Sequence, residues 1–399
     1  MGDLVRRALL CSTALLGGAS LVSPAAAADG IKLAVGGYFK EAYMVVIDDD
    51  AEGEPGNETN TDGFFNDAEI HFTGSTVLDN GLEVGARVEL EGETDEDQID
   101  EAWVYFSGGF GEVRIGSDDD ALANACVVPP GGTGNFSAFS PNQWGANFTF
   151  FGTNTVCTGV DDLGDAQKII YISPVFSGFQ LTASYTPNPN HETHADGVGP
   201  HLGMPATAPF VADADVSAYL TYTYEGNGWG LTWGGGGSWG INVDDSPILG
   251  VFEGDVNPQD FYQTGLTVNV GNWAVGGAFE YLNDIFNISE DTVGTEEIDA
   301  WVAGGGVAYT HDAWVFGLQY SYRKDMLDAD LIILPSEAHL DTVMQRAVAT
   351  ATYALGPGIV IDGEIGYTWG DSDPEVTEPS FFDPDYGGLE IGIGTNITF

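Results

Sequence analysis

The chain is punctuated by two kinds of connection that alternate with each other, and this pattern constrains the fold more than any single motif does. Tight turns rich in Gly, Asn and Asp fall at Asp79-Asn80-Gly81, Gly108–Gly111, Phe176–Gly178, Asn227-Gly228, Gly271-Asn272, His311-Asp312 and Gly356–Gly358. Between them lie long acidic stretches near residues 48–63, 117–165, 188–214, 242–258, 284–297, 326–342 and 370–385, with a short acidic one at Asp95–Asp97. Seven turns and eight loops separate sixteen segments of about ten residues. An even number of strands, with short turns at one end and long loops at the other, predicts a closed antiparallel β-barrel that crosses a membrane.

The segments alternate in polarity as strands of such a barrel would. In the last one, Leu389, Ile391, Ile393, Thr395, Ile397 and Phe399 share one side, opposite Glu390, Gly392, Gly394, Asn396 and Thr398. Residues Leu82–Glu91 and Trp314–Arg323 split in the same way. Successive strand residues point to opposite faces, so each segment has an oily side and a wet side. A soluble antiparallel sheet would also alternate. The aromatics separate the two cases. Tyr222, Tyr224, Trp229, Trp273, Tyr309, Trp314 and Trp369 gather near segment ends, where a membrane girdle places amphipathic rings. With 56 glycines, and no stretch after the leader near the roughly 18 apolar residues of a membrane helix, strands are the expected spanning element.

The chain opens with Arg6-Arg7, an apolar run from Ala8 to Val22 and Ala26-Ala27-Ala28, the layout of an export signal. Residues 1–28 are therefore expected to be removed, leaving 29–399 as the barrel. Of 61 acids and 10 bases, the leader takes Asp3, Arg6 and Arg7, which leaves 60 and 8. That balance argues against a nucleic-acid partner, whose phosphates need a basic surface. Cys126 and Cys157 are the only cysteines outside the leader, and in an exported chain a disulfide between them is the default.

The segment from Ser117 to Asp165 is too long for an ordinary connection in a compact protein. It opens with Asp118, Asp119 and Asp120, closes with Asp161, Asp162 and Asp165, and carries Phe136, Phe139, Trp144, Phe148, Phe150 and Phe151 between them. Strand-like alternation on both sides makes it a loop that interrupts the sheet, and its aromatics predict that it folds against something. Our reading is a third loop turned into the lumen, where the six aspartates form the acidic side of a constriction. The mature basic residues fall mostly on the polar face of their strands. Lys40, Arg87, Arg114, Lys168 and Arg346 are candidates for a basic pore wall opposite the loop; the alternative use is as salt-bridge partners of Glu83, Glu89, Glu101 and Glu112.

Ile99-Asp100-Glu101-Ala102-Trp103-Val104-Tyr105-Phe106-Ser107-Gly108-Gly109-Phe110-Gly111-Glu112-Val113-Arg114-Ile115-Gly116 resembles the fourth strand, turn and fifth strand of general bacterial porins of Gram-negative bacteria. Tyr171-Ile172-Ser173-Pro174-Val175-Phe176-Ser177-Gly178-Phe179 resembles their sixth and seventh strands, and terminal Phe399 their C-terminal assembly signal. The closest resemblance is to the alphaproteobacterial type. It implies a homotrimer of sixteen-stranded barrels in the outer membrane, each with its third loop folded inside, and a Phe399 read by the barrel assembly machinery. Two departures bear on the eyelet. The family's Pro-Glu-Phe-Gly-Gly-Asp stretch is missing from this third loop, and Ile170 stands where many members carry a pore-facing Arg.

No cofactor is expected. The acidic runs Asp48-Asp49-Asp50, Asp118–Asp120 and Asp244-Asp245 offer oxygen ligands for Ca²⁺ or Mg²⁺ but lack an EF-hand pattern, and read first as solvated loops. Acidic outer loops could also bridge through divalent ions to lipopolysaccharide. His191, His194 and His201 sit in a Pro/Gly-rich loop without an acid at ligand spacing, and there is no G-x-S-x-G, so no enzyme is expected. The expected activity is passive diffusion of small hydrophilic solutes and ions with a preference for cations, because lumen acids outnumber bases. A substrate-selective channel with Trp103, Tyr105 and Trp144 as a sugar slide, and a non-conducting surface barrel, are the other readings.

Overall fold

Segments with one oily and one polar face bury neither alone, and closing them into a cylinder removes every unpaired edge. The computed structural model describes residues 30–48, 61–92, 98–139, 154–158, 165–187, 214–241, 259–283, 295–329, 338–373 and 385–399. The expected leader, Asp49, Asp50, Asp161, Asp162, Asp244, Asp245, Trp144, Phe148, Phe150, Phe151 and the three histidines of the 188–214 loop lie outside the described residues. Sixteen strands form the wall: β1 (Lys32–Asp48), β2 (Asp62–Val77), β3 (Glu83–Glu91), β4 (Ile99–Gly108), β5 (Gly111–Ser117), β6 (Gln167–Ile172), β7 (Phe179–Thr186) and β8 (Ala214–Gly226) make one half. The other half is β9 (Trp229–Ile241), β10 (Asp260–Val270), β11 (Trp273–Asn283), β12 (Thr295–His311), β13 (Trp314–Ala329), β14 (Ala338–Gly356), β15 (Ile359–Asp373) and β16 (Asp385–Thr398). Each strand is hydrogen-bonded to its sequence neighbours, and β1 pairs with β16 to close the barrel.

The predicted turns sit where the strands reverse. Between β8 and β9, Asn227 has φ 50° and Gly228 φ 83°. Two successive positive φ values are what a two-residue turn needs to match the twist of its strands, and Asn-Gly adopts them at low cost. The oily face points outward: Leu318, Ile365, Ile391 and Ile393 are among the exposed large hydrophobic residues. At the short-turn rim, aromatics from adjacent strands pack as cross-strand pairs, with ring centroids 4.7 Å apart for Tyr224–Trp229, 4.5 Å for Trp273–Tyr309 and 4.7 Å for Trp314–Tyr353.

At the seam, β1 and β16 run in register from Tyr38↔Thr398 to Asp48↔Gly388. Beyond that register Gly37 and Phe399 exchange both backbone bonds, N to O at 3.1 Å each way. Phe399 therefore fastens the last rung of the closure while its ring stays exposed.

The segment after β5 is not structureless along its whole length, as its composition suggested. It begins with a short helix, α1 (Ala121–Ala125), whose N-cap is Asp120; the Asp120 carboxylate accepts a bond from the Ala123 N–H at 2.8 Å. From there the chain runs along the polar face of the wall, strand after strand. The Ala121 and Leu122 N–H groups donate to Ser184 Oγ on β7 and Ser217 Oγ on β8. Gln263 on β10 donates to the Val127 carbonyl, and Gln319 on β13 to the Pro129 and Pro130 carbonyls. Asn135 then reaches Asp362 on β15 and the Thr395 carbonyl on β16. Phe136, Phe139 and Val156 are buried beneath it, the last two in a cluster with Ala278, Val302 and Val348. Cys126 and Cys157 are joined, their Cα atoms 5.9 Å apart, so the two ends of the packed stretch are tied together.

Three outcomes follow from these contacts. Deleting Phe399 removes the reciprocal bonds to Gly37, and the yield of heat-modifiable folded barrel is expected to fall; an unchanged yield counts against the seam reading. A side chain at Gly306 or Gly317 would overlap the Pro130 or Gly131 carbonyl. Gly306→Val and Gly317→Val are therefore expected to lift residues 129–131 from the wall and expose them to protease while the barrel stays folded. Intact mass after alkylation should show no label on Cys126 or Cys157 until reduction. In the chain-entropy picture, closing this loop constrains the unfolded ensemble by about 3–4 kcal/mol.

Candidate functional site

The course of the third loop divides the inner wall in two. Most of its contacts fall on β7 through β16; its first residues also meet β4 and β5 through Glu101 and Arg114, and Phe136 packs against Phe65 on β2, while the polar faces of β1 to β5 keep charged side chains it leaves uncovered. The candidate basic residues divide with it. Lys40, Arg87 and Arg114 keep 25%, 33% and 17% of their side chains exposed. Lys168 and Arg346 are buried. Arg346 is a clamp, with Nη1 on the Ser137 carbonyl at 2.6 Å and Nη2 on Glu364 and Glu390 at 2.8 and 2.7 Å. Strand parity placed it inside correctly but could not show that the loop lies over it.

The exposed bases are each tied to acids. Lys40 meets Asp67, directly opposite on β2, at 2.5 Å. Arg87 pairs with Glu89, and Arg114 with Glu112 at 2.8 Å and with Asp118 at 3.0 Å. Glu89 and Glu112 are two residues from their partners on the same strand, so those pairs form along strands rather than across them.

His71 on β2 belongs to this wall by the same parity as Glu69, a signal in the sequence that a count of Lys and Arg passes over. Arg87 Nη2 lies 2.9 Å from His71 Nδ1. A guanidinium has donors only, so Nδ1 accepts and the ring proton sits on Nε2. That nitrogen faces Glu69 at 2.6 Å and Glu89 at 3.1 Å. Glu69 also accepts a bond from the Tyr38 hydroxyl. Trp103 on β4 lies between the two arginines, its ring centroid 5.3 Å from Arg87 and 5.2 Å from Arg114.

The loop acids have separate fates. Asp118 is buried on Arg114 and Asn124, and Asp120 is spent on the α1 cap and on Ser238. Asp119 keeps an exposed face, and its backbone N–H donates to Glu101 at 3.2 Å. Its carboxyl is pushed up to about 6, first by desolvation in the enclosed lumen and then by the adjacent Asp118 and Asp120 carboxylates. Glu101, Asp119 and Asp165 bring three carboxylate oxygens within 4.8 Å of one another, the hard-donor chemistry that Ca²⁺ and Mg²⁺ take. Glu69, His71 and Glu89 are equally close, but there the Nε2 proton stands where a metal would need a lone pair. The site can therefore present a charged, aromatic-lined wall to anything in the lumen.

The Gram-negative porin family model matches residues 12–373. A monosaccharide porin of a Halomonas species and the major outer membrane protein of Halomonas elongata are each 27% identical over 161 residues. That stretch covers 38% of this chain and 41% of either relative. Among solved structures, an anion-selective porin from Comamonas acidovorans superposes with a TM-score of 0.56 at 16% identity, covering 92% of this chain and 100% of the other. The trimer form of OmpT, an outer membrane protein of Vibrio cholerae, gives 0.56 at 12%, covering 93% and 100%. At such identities the likeness is one of fold. The family match across most of the chain and the closed sixteen-stranded wall with its oily exterior lead to one conclusion: this chain belongs to the Gram-negative porin family and is a protein of the outer membrane.

Proposed function

We propose that the barrel is a water-filled channel for passive diffusion of small hydrophilic solutes and ions, that it prefers cations, and that it works as a homotrimer after removal of residues 1–28. The observation that carries the ion preference is the pairing on the uncovered wall. Lys40, Arg87 and Arg114 are each neutralised by a carboxylate in contact. Glu69, Glu101, Asp119 and Asp165 add further carboxylates to the same wall. Carboxylates lining a narrow passage favour cations. The acidic outer loops would meet lipopolysaccharide through divalent ions, and Phe399 would be the residue read by the assembly machinery.

A second reading has its own support. One relative is named a monosaccharide porin, and Tyr38 and Tyr105 supply aromatic surface on the same wall. Conductance that one sugar blocks saturably, with related sugars inactive, would favour substrate selection over general diffusion.

The reversal potential of the reconstituted protein in a KCl gradient tests the first reading. K⁺ is expected to pass over Cl⁻, more strongly at low salt, where screening is weak. A carboxylate is worth on the order of 1 kcal/mol to an ion about 4 Å away in water, so Asp119→Asn with Asp165→Asn should lower the K⁺/Cl⁻ permeability ratio by about two- to fivefold. Neutralising Arg87 and Arg114 should raise it. Chloride preference in the unmodified protein would mean that the wall bases control the passage.

A further inference from the structure

The outer wall carries a row of polar side chains where the pattern calls for oil. Alternation puts Phe39, Tyr43, Val45 and Ile47 of β1 on the membrane face, and Glu41 falls on that face with them, half-buried. Register sets Glu41 directly opposite Asn66 on β2 and Thr395 on β16. Phe64, Tyr43 and Ile393 bound this row on the loop side, and Ala68, Phe39 and Ile397 on the turn side. The row therefore lies inside the oily band and not at its edge. Thr395 returns its hydroxyl to the wall, on the Val360 carbonyl at 2.8 Å. Glu41 makes no ion pair among the described residues: Lys40 beside it points inward to Asp67, and the outward base Lys324 is on the loop end of β13 with Asp341. A carboxylate set among hydrocarbon is costly unless it is paired, hydrogen-bonded or protonated.

The same sector lacks the rings of a lipid-facing wall. The outward Trp229, Trp233, Trp273, Trp301, Trp314 and Trp369 all belong to β9–β15. Amphipathic rings of this kind mark contact with the membrane interface. On β16 and β1 to β5 the described residues put no tryptophan outside; Trp103 is turned inward beside Arg87, and the outward Tyr43 donates to Asp62 at 2.6 Å. A lipid tail offers Glu41 neither a donor nor a charge. A patch that holds an amide beside a carboxylate can instead meet another copy of itself. The Asn66 amide has two N–H donors and the Glu41 carboxylate two acceptor oxygens. In a closed ring of identical subunits, residues near the axis face their own copies.

We infer that Glu41 is a contact between copies of this chain, its carboxylate accepting a hydrogen bond from the Asn66 amide of the neighbouring copy. The inference rests on the homotrimer reading, and it adds where the copies meet and which groups meet there. No described base faces outward at this level, so the contact is carboxylate to amide and not a salt bridge.

The test has two arms, each on purified protein first checked for a heat-modifiable folded barrel. Asn66→Asp sets carboxylate against carboxylate, and its oligomer is expected to dissociate on unheated gels at a temperature the unmodified oligomer survives, with the barrel still folded. Adding Glu41→Gln exchanges amide and carboxylate and should restore the oligomer. In the second arm, Ala68→Cys and Leu318→Cys carry a fluorescent label in vesicles whose lipids bear a nitroxide on the acyl chain. The label at Leu318→Cys should be strongly quenched and the label at Ala68→Cys should be shielded. An oligomer indifferent to both variants at 66 and 41, or equal quenching at the two labels within an intact oligomer, would overturn the inference alone. Unmodified protein that runs as a single copy, with both labels quenched, would sink the homotrimer reading as well. Shielding at Ala68→Cys in native membranes that is lost in the purified oligomer would make a different protein the occupant, and would also overturn it.

Discussion

A stretch of chain with little secondary structure, enclosed by a barrel, cannot satisfy its own backbone groups, and the arrangement of the third loop depends on who satisfies them. Buried N–H and C=O groups must find partners. Here the partners are side chains of the wall. Gln319 alone takes the Ala138 N–H and the Ser137 hydroxyl on its oxygen and gives its amide to the Pro129 and Pro130 carbonyls. Thr350 serves the Gly131 carbonyl, Ser321 the Ala138 carbonyl and Arg346 the Ser137 carbonyl. The polar face that alternation puts inside every strand thus has two roles. Over β7 to β16 it is chiefly a receptor for the loop, and over β1 to β5 it meets the loop only at a few points and otherwise lines the lumen.

The same division decides where glycine is needed on the wall. Between β10 and β14 the loop backbone comes so close that Gly265, Gly306 and Gly317 each face a loop carbonyl where a Cβ would stand. Side chains long enough to bond the loop alternate with positions that have none. Shape complementarity of this kind explains how a segment of mostly irregular chain holds one course along ten strands.

Much of this could be read from the chain and some could not. Turn positions, strand count, face assignment and the Cys126–Cys157 bond rest on local pattern or on a count of two, and the structure bears them out. Helix α1 is signalled by Asp120 ahead of an Ala-rich run, a cap and a good helix former side by side, but a loop reading hides it. Parity put Arg346 and Lys168 inside; only long-range packing shows that they are buried rather than lining the open wall. The three aspartates at 118–120 look alike in sequence. Their separation into an arginine partner, an exposed acid and a helix cap depends on Arg114, Ser238 and the helix, which lie on different elements.

Why so acidic a chain keeps its inward bases follows from the cost of the wall itself. Carboxylates removed from bulk water and placed near one another destabilise each other and lose hydration. Arg346 between Glu364 and Glu390 offsets that cost behind the loop, fully buried. Arg87, beside Glu89 and His71, does the same on the open side, where its charge is also felt in the lumen. A base in this barrel is thus first a condition for folding an acidic wall. It can act on the lumen only where the loop leaves it uncovered, as at Lys40, Arg87 and Arg114.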